Sequence, residues 1–377
     1  MPDKRSYAAD LLGASRLAID AVTGVTDLVE AVHMNVLQRA IGRPAVRPVV
    51  GVTSFVYRSV KGVTRLVGGG IDTVLARLVP VLGEQEDWTG RDALLAAVNG
   101  VLGDRLEQAA NPLAIAMTLR TAAAPSPRIV VLAHGLCMND RQWRDDGVDH
   151  GATLHEQRGY TPVYLHYNSG RHISVNGREF AAQLQALVDG WPVPVEELVI
   201  VGHSMGGLVA RSACVVGGAW LAKLSKMVFL GSPHHGAPLE RGGNWVNMIG
   251  DLNAYSAPFT RLAKIRSAGI TDLRHGSILD EDWRDSDRFA HTANAPALPA
   301  LPAHVQCFAV AGTIAREAGA LADRVAGDGL VPLASALGQH ADPARALVMA
   351  GSAVLTETNH MALLSSPAVR QHLLAWL

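Results

Sequence analysis

The sequence predicts an α/β domain, a largely parallel sheet with helices on both faces, preceded by a segment of amphipathic helices. Short runs of apolar, β-favouring residues recur at 128–133, 198–201 and 226–231, each with the length and composition of a strand buried on both faces. Helix-compatible segments separate the strands, and such alternation specifies parallel pairing, because a parallel neighbour is reached only through a crossover. The third observation is local: Leu198, Val199, Ile200 and Val201 run into Gly202-His203-Ser204-Met205-Gly206, and a helical stretch over 205–216 follows at once.

Ser204 therefore stands at the tip of a strand-to-helix turn, where a nucleophilic serine belongs. Its backbone is expected to be strained, and side chains two residues to either side would meet the adjoining strand and helix, so Gly202 and Gly206 are what the turn demands. The helix that begins at Met205 aims its first N–H groups and positive dipole end at the serine, where negative charge develops during acyl transfer. In a chain with 37 glycines the bare G-x-S-x-G pattern arises easily by chance; the flanking strand and helix carry the weight.

With 377 residues the chain has room for one large core and a smaller module. Hydrophobic residues make up 49% and charged residues 18%, with 33 Lys and Arg against 34 Asp and Glu and a formal net charge of -1, so a basic nucleic-acid binder is disfavoured. Cys137, Cys214 and Cys307 lack C-x-x-C spacing and read as buried free thiols rather than a disulfide framework or zinc cluster. Residues 1–30 carry Asp3, Asp10, Asp20, Asp27 and Glu30 and lack the apolar centre of a secretion signal, while Arg65, Asp72 and Arg77 interrupt the most apolar amino-terminal stretch. The expectation is a cytoplasmic, soluble protein.

Leu11, Ala18, Val22, Val25, Val29, Val32 and Val36 fall on one helical stripe, and Val49, Val52, Val56, Val60, Val63 and Val67 on a second; Gly42, Pro44 and Pro48 separate them. A third helical piece, 71–82, follows Gly68-Gly69-Gly70. Residues 1–87 are accordingly assigned to an amino-terminal amphipathic helical module and 88–377 to a catalytic domain. Between 41 and 82, Arg43, Arg47, Arg58, Lys61, Arg65 and Arg77 stand against Asp72 alone. A valine face opposite a basic face fits packing against the protein's own core, the commoner use of such a stripe. It also fits an anionic membrane or lipid surface, an acidic partner, or a second copy of the chain, and these remain open.

Along the core, Thr89 is expected to cap a helix through Val98, and 113–119 to form an early strand. Further strands are expected at 128–133, 161–167, 198–201, 226–231, 304–312 and 347–350, with helices at 176–188 and 205–216 and a closing helix at 367–377. Between Gly236 and Leu301 no strand pattern emerges. With Trp245, Met248, Ile249, Tyr255, Phe259 and Trp283, the stretch of about 237–301 reads as an inserted helical cap over an acyl pocket at the carboxyl ends of the strands. A surface excursion packed for stability alone is the other reading.

The segments Ala133-His134-Gly135-Leu136, Gly202-His203-Ser204-Met205-Gly206-Gly207, Gly231-Ser232-Pro233-His234-His235-Gly236, Gly327-Asp328-Gly329-Leu330-Val331-Pro332 and Asn359-His360 stand in that order. Together they resemble the α/β-hydrolase superfamily, and within it serine lipases and esterases of the bacterial lipase and PGAP1-like type, over roughly 88–377. The resemblance implies an α/β-hydrolase fold with an inserted cap, Ser204 as nucleophile, Asp328 as triad acid and His360 as general base. The chemistry asks for each of them. A hydroxyl is a poor nucleophile at neutral pH, so a histidine must take its proton and later return it, and a buried carboxylate must fix the imidazole tautomer and stabilise its cation. A long connection separates Gly312 from Asp328, which leaves Asp323 as the alternative acid.

Oxyanion donors are expected to be the backbone N–H groups of Met205 and Leu136, the latter brought close by Gly135. His134 and His203 flank the site in structural or supporting roles, and His234-His235 reads as part of the wall rather than a metal site; no metal or cofactor is expected. The function this points to is a serine carboxylic-ester hydrolase acting through an acyl-enzyme on a hydrophobic acyl ester, with a small-molecule or lipid ester as substrate. An acyltransferase or thioesterase would use the same triad. A different class of reading is a lipid-surface-binding protein, peripheral to a membrane, in which the amino-terminal helices dominate and the hydrolase core is a scaffold.

Overall fold

Runs of apolar residues that alternate between two covered faces build the centre of this protein, and the computed structural model shows how they are stacked. It describes residues 10, 12–14, 16, 91–121, 123–237, 267–284, 298–316 and 327–377. In chain order the elements are α1 (Arg91–Gln108), β1 (Thr118–Arg120), β2 (Arg128–Ala133), α2 (His150–Arg158), β3 (Thr161–His166), α3 (Ile173–Asp189), β4 (Glu197–His203) and α4 (Met205–Val216). They continue with β5 (Leu224–Leu230), α5 (Ala268–His275), β6 (Gln306–Gly312), α6 (Leu333–Ala336), β7 (Gly351–Leu355) and α7 (Pro367–Trp376).

The described strands form one seven-stranded sheet in the order β1-β3-β2-β4-β5-β6-β7. β1 runs antiparallel to β3, and every other neighbouring pair is parallel. Period-two alternation sorts the side chains. Val130, Leu132, Val199, Val201, Val228, Leu230 and Val310 share a buried cluster with Trp143, Leu154 of α2, and Val369 and Leu373 of α7. α3 packs against α4, where Gly177 permits the approach: a Cβ there would lie 2.3 Å from Ser212 Oγ. Burial of both faces explains why β2, β4 and β5 read as continuous apolar runs.

The chain divides into two compact units, 1–88 with 106–114, and 89–105 with 115–377. In the first, residues 10, 12–14 and 16 are helical, and Asn111 Nδ2 donates to the Gly13 carbonyl at 3.1 Å. The remaining helices expected between 11 and 82 lie outside the described residues. No helix among the described residues is long and apolar enough to cross a membrane.

Two expected strands are shifted. The early strand is confined to Thr118–Arg120, because side chains hold the preceding backbone in turns: Asn111 Oδ1 accepts from Leu113 N at 2.9 Å, and Asn99 Oδ1 from Ile115 N at 2.9 Å. The last strand is Gly351–Leu355 rather than 347–350. Leu347 instead donates its N–H to the Gly338 carbonyl at 2.9 Å, and Met349 packs against the cluster formed by Ala309, Ala311, Val331, Ala336 and Leu337, so these apolar residues belong to a covering loop.

Of the stretch expected to form a cap, 237, 267–284 and 298–301 are described and 238–266 and 285–297 are not. Residues 267–284 are largely helical and tied to the body of the domain. Ser267 Oγ donates to the Gly100 carbonyl at 2.6 Å, and Asp272 accepts from Ile173 N at 2.8 Å and from His172 Nδ1 at 3.0 Å. Trp283 stacks on the His172 ring with centroids 3.7 Å apart.

Candidate active site

β4 ends at His203 and α4 begins at Met205, so Ser204 alone makes the turn, with φ 52 and ψ -123. A non-glycine residue at positive φ costs on the order of 1–3 kcal/mol and persists only where its surroundings over-determine it. Here the Ser204 N–H donates to the Leu230 carbonyl at 2.8 Å, at the end of the neighbouring strand β5. The glycines are required by contact, as the sequence argues. A Cβ at Gly202 would stand 2.6 Å from Gly207 Cα, and one at Gly206 2.3 Å from the Ala133 carbonyl oxygen.

Asp328 lies in the connection after β6, and His360 at the start of the 3-10 turn Met361–Leu364 after β7. Their side chains meet: Asp328 Oδ2 is 2.6 Å from His360 Nδ1, with side-chain exposures of 0% and 4%. The other carboxylate oxygen, Oδ1, accepts from Leu330 N at 3.0 Å and Val331 N at 2.8 Å, so the group is aimed by its own loop. A second bond, from His360 N to the Asp328 carbonyl at 3.0 Å, ties the two backbones. A carboxylate only accepts, so Nδ1 carries the proton and Nε2 is left with the lone pair a base needs. Asp323, the alternative acid, lies outside the described residues.

Leu230 and Gly231 join the serine to this pair. Leu230 holds the Ser204 amide; the next residue, Gly231 at φ +59, lies against the dyad, since a Cβ there would be 3.1 Å from both Asp328 Oδ2 and His360 Cε1. His203, beside Ser204, has its ring 4.7 Å from the His360 ring. Ser204 Oγ and His360 are brought to the same end of the sheet but are not hydrogen-bonded to each other; such contacts commonly tighten only with substrate.

The turn after β2 approaches from the other side. A Cβ on Gly135 would be 3.1 Å from Ser204 Cβ, so Leu136 follows a residue in contact with Ser204. Cys137 takes φ 59, and its N–H is held by Ser169 Oγ at 3.0 Å. The backbone N–H groups of Leu136 and Met205 donate to no described protein acceptor. Sequence reasoning missed Ser169 and Gly231 in these positioning roles. Gly231 was signalled by its place at the end of an apolar run; Ser169 left no signal.

Of the remaining histidines of the motifs, His134, His203 and His234 are buried and His235 is half-buried. Burial pushes His134 down to about 3, and its ring stacks on Tyr167 at 4.4 Å while Tyr167 Oη donates to the His134 carbonyl at 2.8 Å. Burial also holds His203 and His234 well below the ordinary imidazole value. His234 meets Arg211 of α4 and the edge of Phe229, whereas His235 Nε2 is 2.8 Å from the Arg345 carbonyl, so the adjacent pair serves separate partners. No group of three His, Cys, Asp or Glu suited to a metal occurs among the described residues. Cys137 is pushed up to about 12 by burial, which removes it as a nucleophile at neutral pH.

Residues 124–301 match the family model of the PGAP1-like alpha/beta domain. The match, the strand order and the serine turn at the end of β4 decide the architecture. This is an α/β-hydrolase fold. Among solved structures, the chain is similar to the mature form of a Bacillus licheniformis lipase, with 19% identity, a TM-score of 0.43, and 69% of this chain and 98% of that one covered. A lipase-esterase related protein from Clostridium acetobutylicum gives 12% identity and a TM-score of 0.37, with 69% and 99% covered. A bromoperoxidase from Bacillus anthracis gives 14% and 0.40, with 69% and 94% covered. Among curated protein sequences none matches this chain. Ser204 follows β4, Asp328 follows β6 and His360 follows β7, the chain order serine, acid, histidine of α/β-hydrolases.

Proposed function

We propose that the protein is a serine carboxylic-ester hydrolase that forms an acyl-enzyme on Ser204. The observation that carries this reading is the buried Asp328–His360 pair, 2.6 Å between Oδ2 and Nδ1, on the same end of the sheet as a strained serine with its own strand-to-helix turn. His360 Nε2 takes the Ser204 proton as Oγ bonds to the ester carbonyl carbon. The negative charge moves to the carbonyl oxygen, which the N–H groups of Met205 and Leu136 stabilise. Collapse breaks the carbon–oxygen bond to the alcohol, which leaves with the proton from His360. Water, deprotonated by His360, then attacks the acyl carbon; the carboxylic acid departs and Ser204 recovers its proton. Asp328 holds the imidazole in the required tautomer and offsets its positive charge throughout.

The substrate class is a small-molecule or lipid ester with a hydrophobic acyl group, argued from the large apolar side chains Trp245, Met248, Ile249, Tyr255, Phe259 and Trp283 within 237–301, since a pocket gains affinity chiefly by burying apolar surface. The reaction needs no cofactor. Localisation is assigned to the cytoplasm, with attachment to a lipid surface or to a second copy through residues 1–87 as the alternative to be tested by vesicle sedimentation.

The test is fluorophosphonate labelling of the full chain and of Ser204→Ala, read by intact mass, beside a p-nitrophenyl ester series of rising chain length. Labelling of the wild type alone, with turnover lost in the variant, is the expected result. A wild type that neither labels nor hydrolyses any ester in the series overturns the reading. Parallel assays with thioesters and with added alcohol assign thioester cleavage or acyl transfer if either is the faster reaction.

A further inference from the structure

His203, directly before the nucleophile, is completely buried, and its Nε2 is 3.1 Å from the main-chain carbonyl oxygen of His360. A carbonyl only accepts, so Nε2 carries the proton and Nδ1 holds a lone pair. That Nδ1 has no hydrogen-bond partner and faces Gly135, where an added Cβ would be 3.2 Å away. The other groups around the ring are the edge of Trp143, centroids 6.4 Å apart, the His360 ring at 4.7 Å, and His134 at longer range. None offers a carboxylate. A second proton on His203 would therefore be a buried donor without an acceptor, beside the ring that has to become cationic.

We infer that His203 is a positioning residue for the general base: as a neutral Nε2–H tautomer it holds the His360 carbonyl, fixing the backbone from which the base projects. The kinetic part of this inference rests on the ester-hydrolase reading; the tautomer and the contact do not. His360 is then held at three points, its N–H by the Asp328 carbonyl, its C=O by His203 and its Nδ1 by Asp328 Oδ2. The contact also couples neighbours in the reaction, because the histidine that steadies the base is peptide-bonded to the nucleophile. With one of three points lost, the imidazole is displaced rather than released, and a displacement of about 1 Å costs up to on the order of a hundredfold in rate.

His203→Gln and His203→Asn separate positioning from bulk. The glutamine amide nitrogen reaches the place of Nε2, and the asparagine amide stops short of it. The experiment combines p-nitrophenyl ester kinetics of the full chain and both variants, thermal melts, and 15N spectra of histidine-labelled wild type, with the His203 signal identified by its absence from the glutamine variant. The expected outcome is a fall in kcat of about ten- to a hundredfold for the asparagine variant, with KM within about twofold, recovery of most of it by glutamine, and a His203 signal that stays neutral and Nε2-protonated from pH 5 to 8. Wild-type kcat in the asparagine variant, equal losses in both variants, or a His203 that carries its proton on Nδ1 or titrates in this range overturns the inference. If the wild type hydrolyses no ester, the ester reading falls, and the 15N tautomer alone then decides whether His203 makes this contact.

Discussion

Replacing Asp328 by asparagine tests the candidate site more sharply than removing the serine, because the structure dictates how the new side chain must turn. The carboxylate presents Oδ1 to the N–H groups of Leu330 and Val331 at 3.0 and 2.8 Å, and Oδ2 to His360 Nδ1 at 2.6 Å. An amide nitrogen cannot accept, so the asparagine oxygen must keep the two backbone donors and its NH2 must face Nδ1. Nδ1 then has to accept, the imidazole proton moves to Nε2, and the atom that should take the serine proton is already protonated. A charge-assisted hydrogen bond worth about 1.5–3 kcal/mol is lost together with the correct tautomer. We expect kcat to fall by about a thousand- to ten-thousandfold, roughly 4–5.5 kcal/mol of barrier, with KM little changed and stability lowered by no more than the ~1.5–3 kcal/mol of the lost bond. Steady-state hydrolysis of a short p-nitrophenyl ester and the rate of fluorophosphonate labelling give the answer. Asp328→Asn within tenfold of wild type refutes the assignment, and the same loss in Asp323→Asn alone would transfer the role to that residue.

Two further predictions concern the frame of the site. Gly206→Ala sets a Cβ 2.3 Å from the Ala133 carbonyl oxygen and 2.7 Å from that of His134, rigid backbone at the head of the turn that carries Leu136; we expect a loss of about 1–3 kcal/mol in urea unfolding and slower labelling, and unchanged stability would contradict the close packing. The buried histidines make the protein acid-labile. Burial lowers His134 to about 3 and His150 to about 4, below the value near 6.5 of the unfolded chain, so between these limits the unfolded state binds protons that the native state refuses. Stability should therefore fall as pH drops below about 6.5, by up to roughly 1.4 kcal/mol per pH unit for each such histidine. A urea midpoint constant from pH 7.5 to 5 would show that these rings are not held neutral.

What the sequence made legible is what sequence neighbours determine. The helix 205–216 is found with the expected limits, and the turn at Ser204 could be argued from its two glycines, because strand, turn and helix are contiguous. The contact between Asp328 and His360 spans 32 residues and had no local signature; their order relative to Ser204 and the surrounding motifs pointed to it, and the 2.6 Å distance could come only from the fold. Apolarity by itself misplaced the last strand. Leu347 and Met349 cover a neighbouring loop, whereas β7 pairs with β6 alone among the described strands, is partly exposed, and so carries a weaker hydrophobic signal. The early strand failed differently, since Asn99 and Asn111 take up backbone N–H groups that a longer ladder would have used. Backbone donors and positioning contacts, such as Ser169 on Cys137 N and His203 on the His360 carbonyl, connect residues distant in sequence and leave no pattern in it.

The order of the strands explains why a strained serine is sustainable here. β2, β4, β5, β6 and β7 lie side by side in the sheet, so the segments that follow them open at one edge: the Gly135 turn, Ser204, Gly231, Asp328 and His360. Parallel pairing puts all these carboxyl ends on the same side, where no further strand residue competes for their backbone groups. The Leu230 carbonyl is the clearest case. At the end of β5 it accepts from Ser204 N at 2.8 Å, while the next residue, Gly231, donates to the Val310 carbonyl of β6 at 2.9 Å. A single peptide thus ties the turn at Ser204 to the strand that leads to Asp328. Gly231 must lack a side chain because the dyad occupies the space a Cβ would fill, and its positive φ bends the chain away after this link. The unfavourable backbone at Ser204 is offset by bonds distributed over three strands, and disturbing any one of them should move the serine relative to His360 before it unfolds the domain.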